Sequence, residues 1–148
     1  MEKFWAALLV IPVFTWYSFH AVLDRDFRIK QQLVENTVYQ YTQIAAKKGA
    51  LYESVYDEMT DKLLKFGEFK ISITAERFTG TNDIPEVISG SDIVGRDLRA
   101  EGYDIINVYV EYLKEHPLGR LYELTPFSTR SGIEADIRHF AKASVYIQ

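Results

Sequence analysis

Residues 4–48 read FWAALLVIPVFTWYSFHAVLDRDFRIKQQLVENTVYQYTQIAAKK, and this stretch decides the fold. It contains no glycine and a single proline, Pro12, and the first helix breaker is Gly49 directly after it. We therefore predict one N-terminal helix of about 45 residues, roughly 70 Å long at 1.5 Å per residue. Its first half is apolar and its second half is amphipathic, so one helix has to satisfy two different environments.

The apolar half runs from Phe4 to Val22 and contains no Asp, Glu, Lys or Arg. It would form a helix about 28 Å long, close to the roughly 30 Å hydrocarbon thickness of a bilayer. Aromatic residues stand near both ends, as in the aromatic belts of membrane helices. A cleavable signal peptide is the alternative, but the residues before the run are weakly charged and no small-residue cleavage site follows it. Pro12 predicts a kink or local melting, with Thr15 able to bond back to the preceding turn. The candidate membrane or assembly residues in this half are Glu2, Phe4, Trp5, Leu8, Leu9, Ile11, Pro12, Phe14, Trp16 and Phe19.

The amphipathic half carries one apolar stripe at helical spacing. Its members are Leu23, Phe27, Val34, Val38, Tyr41 and Ala45. The stripe predicts burial either against a partner helix or against the globular part of the same chain, and the sequence leaves both open. On the first interpretation, Phe27, Val34, Val38 and Tyr41 are further candidate assembly residues.

The remainder of the chain changes its hydrophobic period. Residues 51–67 predict a second, shorter helix, with Gly67 as its C-terminal cap. Residues 68–78, 103–113 and 139–148 alternate between apolar and polar side chains, which predicts three half-buried strands, and residues 120–124 are a candidate fourth. The fold class is therefore α+β: a long N-terminal helix (residues 1–48), then a small domain (49–148) with a short helix and an antiparallel sheet of three to four strands. Residues 79–102 predict a long loop, either an interface or a surface excursion.

The composition excludes several function classes. The net charge is −4 and the pI about 5.4, which argues against a nucleic-acid partner. The chain has no cysteine, and it carries no nucleophile motif, phosphate-binding loop or paired catalytic carboxylates. Glu134, Asp136 and His139 form a weak metal motif that we do not expect to bind a metal. The sequence predicts a protein that is not an enzyme and has no cofactor.

The layout of the chain resembles that of type IV pilin-like proteins, and most closely the TadE-like family of pilus proteins. The resemblance rests on the apolar opening FWAALLVIPVF, the amphipathic FRIKQQLVENTVYQYTQIAAKKG and the helix ending LLKFG. It continues through the strands EFKISITAERF and YDIINVYVEYLKEHPLG to ADIRHFAKASVYIQ. It covers nearly the whole chain through motifs of moderate specificity.

The resemblance implies a structural subunit of an extracellular, pilus-like helical filament on the cell surface. Such a subunit is anchored in the membrane by its apolar helix until an assembly machinery extracts it, and it then polymerises with copies of itself through that helix. Two features depart from the family pattern: no basic leader ending in Gly precedes the apolar run, and Trp5 stands at the fifth position, where processed pilins carry Glu. Glu2 is a candidate for pairing with a neighbour's amino group or with Lys3, and the alternative is a solvated Glu in the headgroup region. The alternatives are a non-polymerising single-pass membrane protein accessory to a secretion or conjugation apparatus and, more remotely, a small tethered enzyme.

Overall fold

The computed structural model describes residues 2–78, 84–114, 116–117 and 138–148. Helix α1 spans Glu2–Lys48 and helix α2 spans Glu53–Leu64. The strands are β1 (Phe69–Arg77), β2 (Glu86–Ser89), β3 (Ile105–Tyr112) and β4 (Phe140–Tyr146), and a 3-10 turn at Ser91–Ile93 follows β2. The fold is α+β, as the sequence predicts.

The four strands form one antiparallel sheet in the order β2-β1-β3-β4. Side chains on one face line up in rows across it. In one row Ile73 on β1 lies opposite Val108 on β3, and Val108 lies opposite Ala143 on β4. All three are buried, because α1 and α2 cover this face while the other face remains open.

Helix α1 runs along the edge strand β4 and in the same direction. Near its middle, Gln31 Nε2 donates to the Phe140 carbonyl at 2.6 Å. Near its end, the Ala46 carbonyl accepts from the Gln148 amide at 3.1 Å. The last third of α1 therefore belongs to the same core as the sheet. The predicted boundary at residue 48 is the end of a helix, and residues before and after it contribute to one core. The most deeply buried side chains of that core include Val34, Val38, Leu51, Met59, Leu63, Ile93, Leu98, Ile106, Val108 and Val110.

Two glycines end the helices where the sequence places the breaks. Gly49 follows α1 with φ of 71°, a backbone conformation that other residues rarely adopt. Gly67 closes the turn after α2 with φ of 141°, and its amide donates to the Leu63 carbonyl at 3.2 Å. A Cβ atom on Gly67 would overlap the ring of Tyr112, so this close approach to β3 requires glycine.

Some predictions of detail need correction. The stretch 79–102, predicted to be a loop, contains β2 and the 3-10 turn, and β2 supplies the fourth strand of the sheet. The candidate fourth strand at 120–124 lies outside the described residues. Helix α1 is unbroken through Pro12, so the predicted local melting is not observed. The predicted back-bond of Thr15 is confirmed, because its Oγ1 donates to the Ile11 carbonyl at 2.8 Å.

Candidate assembly surface

The first part of α1 leaves the body of the protein and exposes its apolar side chains. We call residues 4–22 the apolar sleeve. Leu8, Leu9, Val10 and Ile11 are consecutive and all exposed, and since successive residues of a helix point about 100° apart, every side of the helix is apolar here. Further along, Phe14 is 72% exposed. The large exposed apolar side chains of the sleeve are Phe4, Trp5, Leu8, Leu9, Val10, Ile11, Val13, Phe14, Trp16, Tyr17, Phe19 and Val22.

The charges that follow the sleeve neutralise one another along the helix. Arg28 Nε lies 2.8 Å from Asp24 Oδ2, and Lys30 Nζ lies 2.9 Å from Asp26 Oδ2. Both are pairs four residues apart, the spacing at which helix side chains meet. The sleeve is thus bordered by residues 24–26, which we call the charged turn and whose two carboxylates are paired with cations in the following turn.

On the C-terminal side of the sleeve, α1 is apolar on two opposite sides. The inner side carries the predicted stripe and packs into the body, where Val34, Val38 and Tyr41 are buried. The outer side presents Ile29 and Leu33, which are 46% and 42% exposed and continue the line of Val22. The outer pair was not among the residues predicted from the sequence, although the steps of seven residues from Val22 to Ile29 and of four from Ile29 to Leu33 are a helical signal.

The structure therefore separates the predicted assembly residues into two groups. Those of the apolar half are exposed on the sleeve, including Pro12, while Val34, Val38 and Tyr41 pack within the chain's own core. Glu2 lies in α1, but its side chain is outside the described part of the structure. Phe27 stands between the groups, half-buried at the point where α1 meets the body.

At that point three rings pack together, and we call Phe27, His116 and His139 the aromatic joint. Phe27 stacks on His139 with ring centroids 4.4 Å apart and planes 18° apart. His116 meets both rings edge-on, at 5.1 Å from Phe27 and 5.3 Å from His139. Both histidines are buried, at 5% and 2% exposure. Nearer the amino terminus than the joint lie the charged turn and the sleeve, so the joint is where the protruding part of α1 is held to the body.

The side chain of Gln31 fixes the orientation of His139. The Phe140 amide donates to Gln31 Oε1 at 3.3 Å, and Gln31 Nε2 donates to the Phe140 carbonyl. Because the backbone groups determine which end of the amide accepts, Gln31 Oε1 faces His139 Nδ1 at 3.4 Å and accepts a hydrogen bond from Nδ1–H. The lone pair of a neutral His139 therefore lies on Nε2, which is buried and has no hydrogen-bond partner in the described part of the chain.

Burial sets the protonation of the joint. Burial, then the neighbouring His116, then Lys30 lower the pKa of His139 to about 4. Burial and Lys30 also lower the pKa of His116, against the opposing attraction of Asp26, whose Oδ2 lies 3.8 Å from His116 Nε2. A hydrogen bond from Lys30 lowers the pKa of Asp26. Both histidines are therefore neutral near pH 7, and both resist taking up a proton.

Of the weak metal motif, His139 alone lies within the described residues. Glu134 and Asp136 lie outside the described residues, and the neighbours that the structure gives His139 are Phe27, Gln31 and His116. Within the described ranges, no cluster of three or more His, Asp or Glu side chains is arranged to hold a metal ion.

Comparisons with known proteins leave the site to be judged on its geometry alone. No protein-family model, curated protein or solved structure matches the chain. Among the residues that the structure describes, no helix is both long enough and apolar enough to cross a membrane.

Proposed function

We propose that this protein is a structural subunit of a helical, pilus-like filament that polymerises through the apolar sleeve of α1. The observation that carries the proposal is a protruding helix whose surface is apolar on every side and has no charged residue from Phe4 to Val22. Soluble monomers rarely expose a contiguous apolar surface of this kind, and such surfaces mark interaction sites.

The energetics favour covering the sleeve. Twelve large apolar side chains are exposed on it. Burying a fully exposed side chain of this kind contributes about 1.5–3 kcal/mol, and these are between 38% and 72% exposed, so complete coverage represents roughly 10–20 kcal/mol of gross driving force before the entropy of association is subtracted. Neighbouring sleeves supply an apolar environment as well as lipid tails do. In this proposal the membrane covers the sleeve before assembly, an assembly machinery moves the subunit, and copies of the same helix cover the sleeve in an extracellular filament.

The body of the protein packs on the inner stripe of α1, and the large apolar side chains of the sleeve stay exposed. Because Val34 and Val38 are already buried against the sheet, assembly contacts fall on the sleeve and on the outer side of α1 at Ile29 and Leu33. A surface that surrounds a helix contacts several neighbours at once, and contacts between different faces need not close into a ring. Head-to-tail addition of subunits then produces a filament.

A second function is favoured by a specific observation. The inner stripe of α1 is used by the chain's own core, so beyond the sleeve only the outer pair Ile29 and Leu33 is left for a partner helix, and a simple anchor needs the sleeve alone. The alternative is therefore a non-polymerising, membrane-anchored accessory protein of a secretion or conjugation apparatus.

Electron microscopy of material sheared from cells expressing the chain tests the proposal, with mass spectrometry to identify the filament protein. Leu9→Asp places a charge on the sleeve, whereas Leu64→Asp places the same charge on an exposed leucine of α2. We expect filaments of this protein from the unmodified chain and from Leu64→Asp but none from Leu9→Asp. A chain that stays in the membrane fraction as a detergent-soluble monomer would instead establish the accessory protein.

A further inference from the structure

The aromatic joint is an unusual place for two histidines. Among the described contacts, Phe27 is the first side chain of α1 that packs against rings of the body. The described body side of this contact includes His116 and His139, with Tyr112 of β3 at 5.9 Å from His139. An apolar side chain at either histidine position would fill the same space without a proton-binding nitrogen.

We propose that the aromatic joint is an acid-sensitive hinge: neutral histidines hold the sleeve-bearing part of α1 rigidly to the body, and protonation releases it. The stacked, neutral arrangement satisfies His139 Nδ1 through Gln31 and leaves Nε2 buried without a partner among the described residues. A proton added at Nε2 therefore has no described acceptor in the closed joint. Opening the joint gives that N–H water as an acceptor.

The charges around the joint favour release. Among the described residues, the charged and titratable groups that face it or border it are Asp26, Lys30, Glu35, Glu111, Tyr112 and Arg138. Asp26 would attract a protonated histidine, but it is about half exposed and lies closer to Lys30 than to His116. If both histidines were protonated, two cations would lie in the ring contact between His116 and His139, where little water screens their repulsion.

Proton linkage gives the size of the effect. In the closed joint the pKa of His139 is about 4, and in an open, hydrated joint it returns to about 6.5. Between about pH 7.5 and pH 5 this difference shifts the closed-to-open equilibrium about 30-fold toward the open form through His139 alone. His116 shifts it in the same direction.

Spin-label distance measurements on the monomeric chain in detergent test the hinge directly. The sequence contains no cysteine, so Ser18→Cys on the sleeve and Lys70→Cys on the open sheet face provide unique label sites. We expect a narrow distance distribution near pH 7.5 and a growing broad component as the pH falls to about 5. His139→Phe keeps the ring that stacks on Phe27 and removes the nitrogens, so the acid response should fall by about 30-fold in the equilibrium constant. His20→Phe removes a histidine outside the joint and should respond as the unmodified protein does.

A distribution that stays narrow to pH 4.5 in the unmodified protein overturns the inference, as does equal broadening in His139→Phe. If His139→Phe loses its far-UV circular dichroism and is therefore unfolded, the Lys30→Gln variant tests the hinge in its place. Removing this cation makes protonation of the closed joint easier, so a smaller acid shift is expected and an unchanged shift contradicts the hinge. One consequence of the hinge, that acid alters assembly, rests on the proposed function, whereas the hinge itself does not. Because the labels are read on monomers, failure of the hinge and failure of polymerisation give separate results.

Discussion

The substitution Phe14→Ala should weaken assembly and leave the folding of the monomer nearly unchanged. Phe14 is 72% exposed on the sleeve and has no role in the core, so its truncation should change the free energy of unfolding by less than about 0.5 kcal/mol. In a filament the same ring would be buried by neighbouring sleeves. Burying a Phe side chain contributes about 1.5–3 kcal/mol, so the variant should lose about 2 kcal/mol for each subunit added. Since 1.4 kcal/mol is a factor of ten, the critical concentration for polymerisation should rise roughly 30-fold.

Sedimentation of polymer after removal of detergent, over a series of protein concentrations, measures this critical concentration. Urea unfolding of the detergent-solubilised monomer measures the folding side. Phe140→Ala is the matched control, because Phe140 is 55% exposed but lies on the open sheet face far along the chain from the sleeve. A critical concentration for Phe14→Ala within about twofold of the unmodified value would refute the reasoning. An equal rise in Phe140→Ala would locate the assembly surface on the sheet.

Three further predictions concern the body. Gly67→Ala should reduce the free energy of unfolding by at least about 2 kcal/mol, because the new methyl group overlaps the Tyr112 ring and φ is positive. Gly90→Ala is the control, because φ is also positive there but no atom lies within 4 Å of the new methyl group, and it should reduce the free energy of unfolding by only about 1 kcal/mol. Equal reductions in urea unfolding would contradict this reasoning. Met59→Ala removes a fully buried side chain and should reduce the free energy of unfolding by about 2–5 kcal/mol in the same assay, whereas a loss below about 1 kcal/mol would show a core that readily collapses around the site. The folded-state pKa of His139 lies below its unfolded value, so its contribution to stability is complete above about pH 6.5 and is lost as the pH falls toward 4. Unfolding measured across this range should show more acid destabilisation than in His139→Phe, by at most about 3 kcal/mol because opening of the joint in the folded chain relieves part of the loss, and parallel curves would refute it.

The elements of this fold follow from local patterns. Alternation over residues 103–113 identifies β3 and its buried side chains Ile106, Val108 and Val110, because strand side chains point to opposite faces whatever the partner is. Gly49 marks the end of α1 through its own backbone preference. Strand β2 was missed because Glu86–Ser89 is too short for alternation to show, and its pairing with β1 comes from tertiary contact.

The candidate site was predictable only in part. The sleeve could be predicted because a run without charges is visible in the sequence, and its exposure is consistent with a surface that needs an external partner. The stripe at Val34 and Val38 has the same spacing whether it meets another chain or the sheet, so only the structure resolves that choice. The aromatic joint left no local signal, because Phe27 and His139 lie far apart in the sequence and meet through the docking of α1 on β4.

The docking of α1 on β4 also dictates an order of events during synthesis. The contact between Gln31 and Phe140 joins residues 109 positions apart, and the cover over the inner stripe of α1 is incomplete until β4 exists. At about 5–20 residues per second, translation leaves Val34 and Val38 incompletely covered for roughly 5–20 s after α1 has emerged. During that interval a nascent chain exposes apolar surface on both the inner and the outer side of the helix. A ribosome-associated chaperone or an early encounter with the membrane is therefore most needed in this window, and truncation before β4 leaves the cover over the inner surface incomplete.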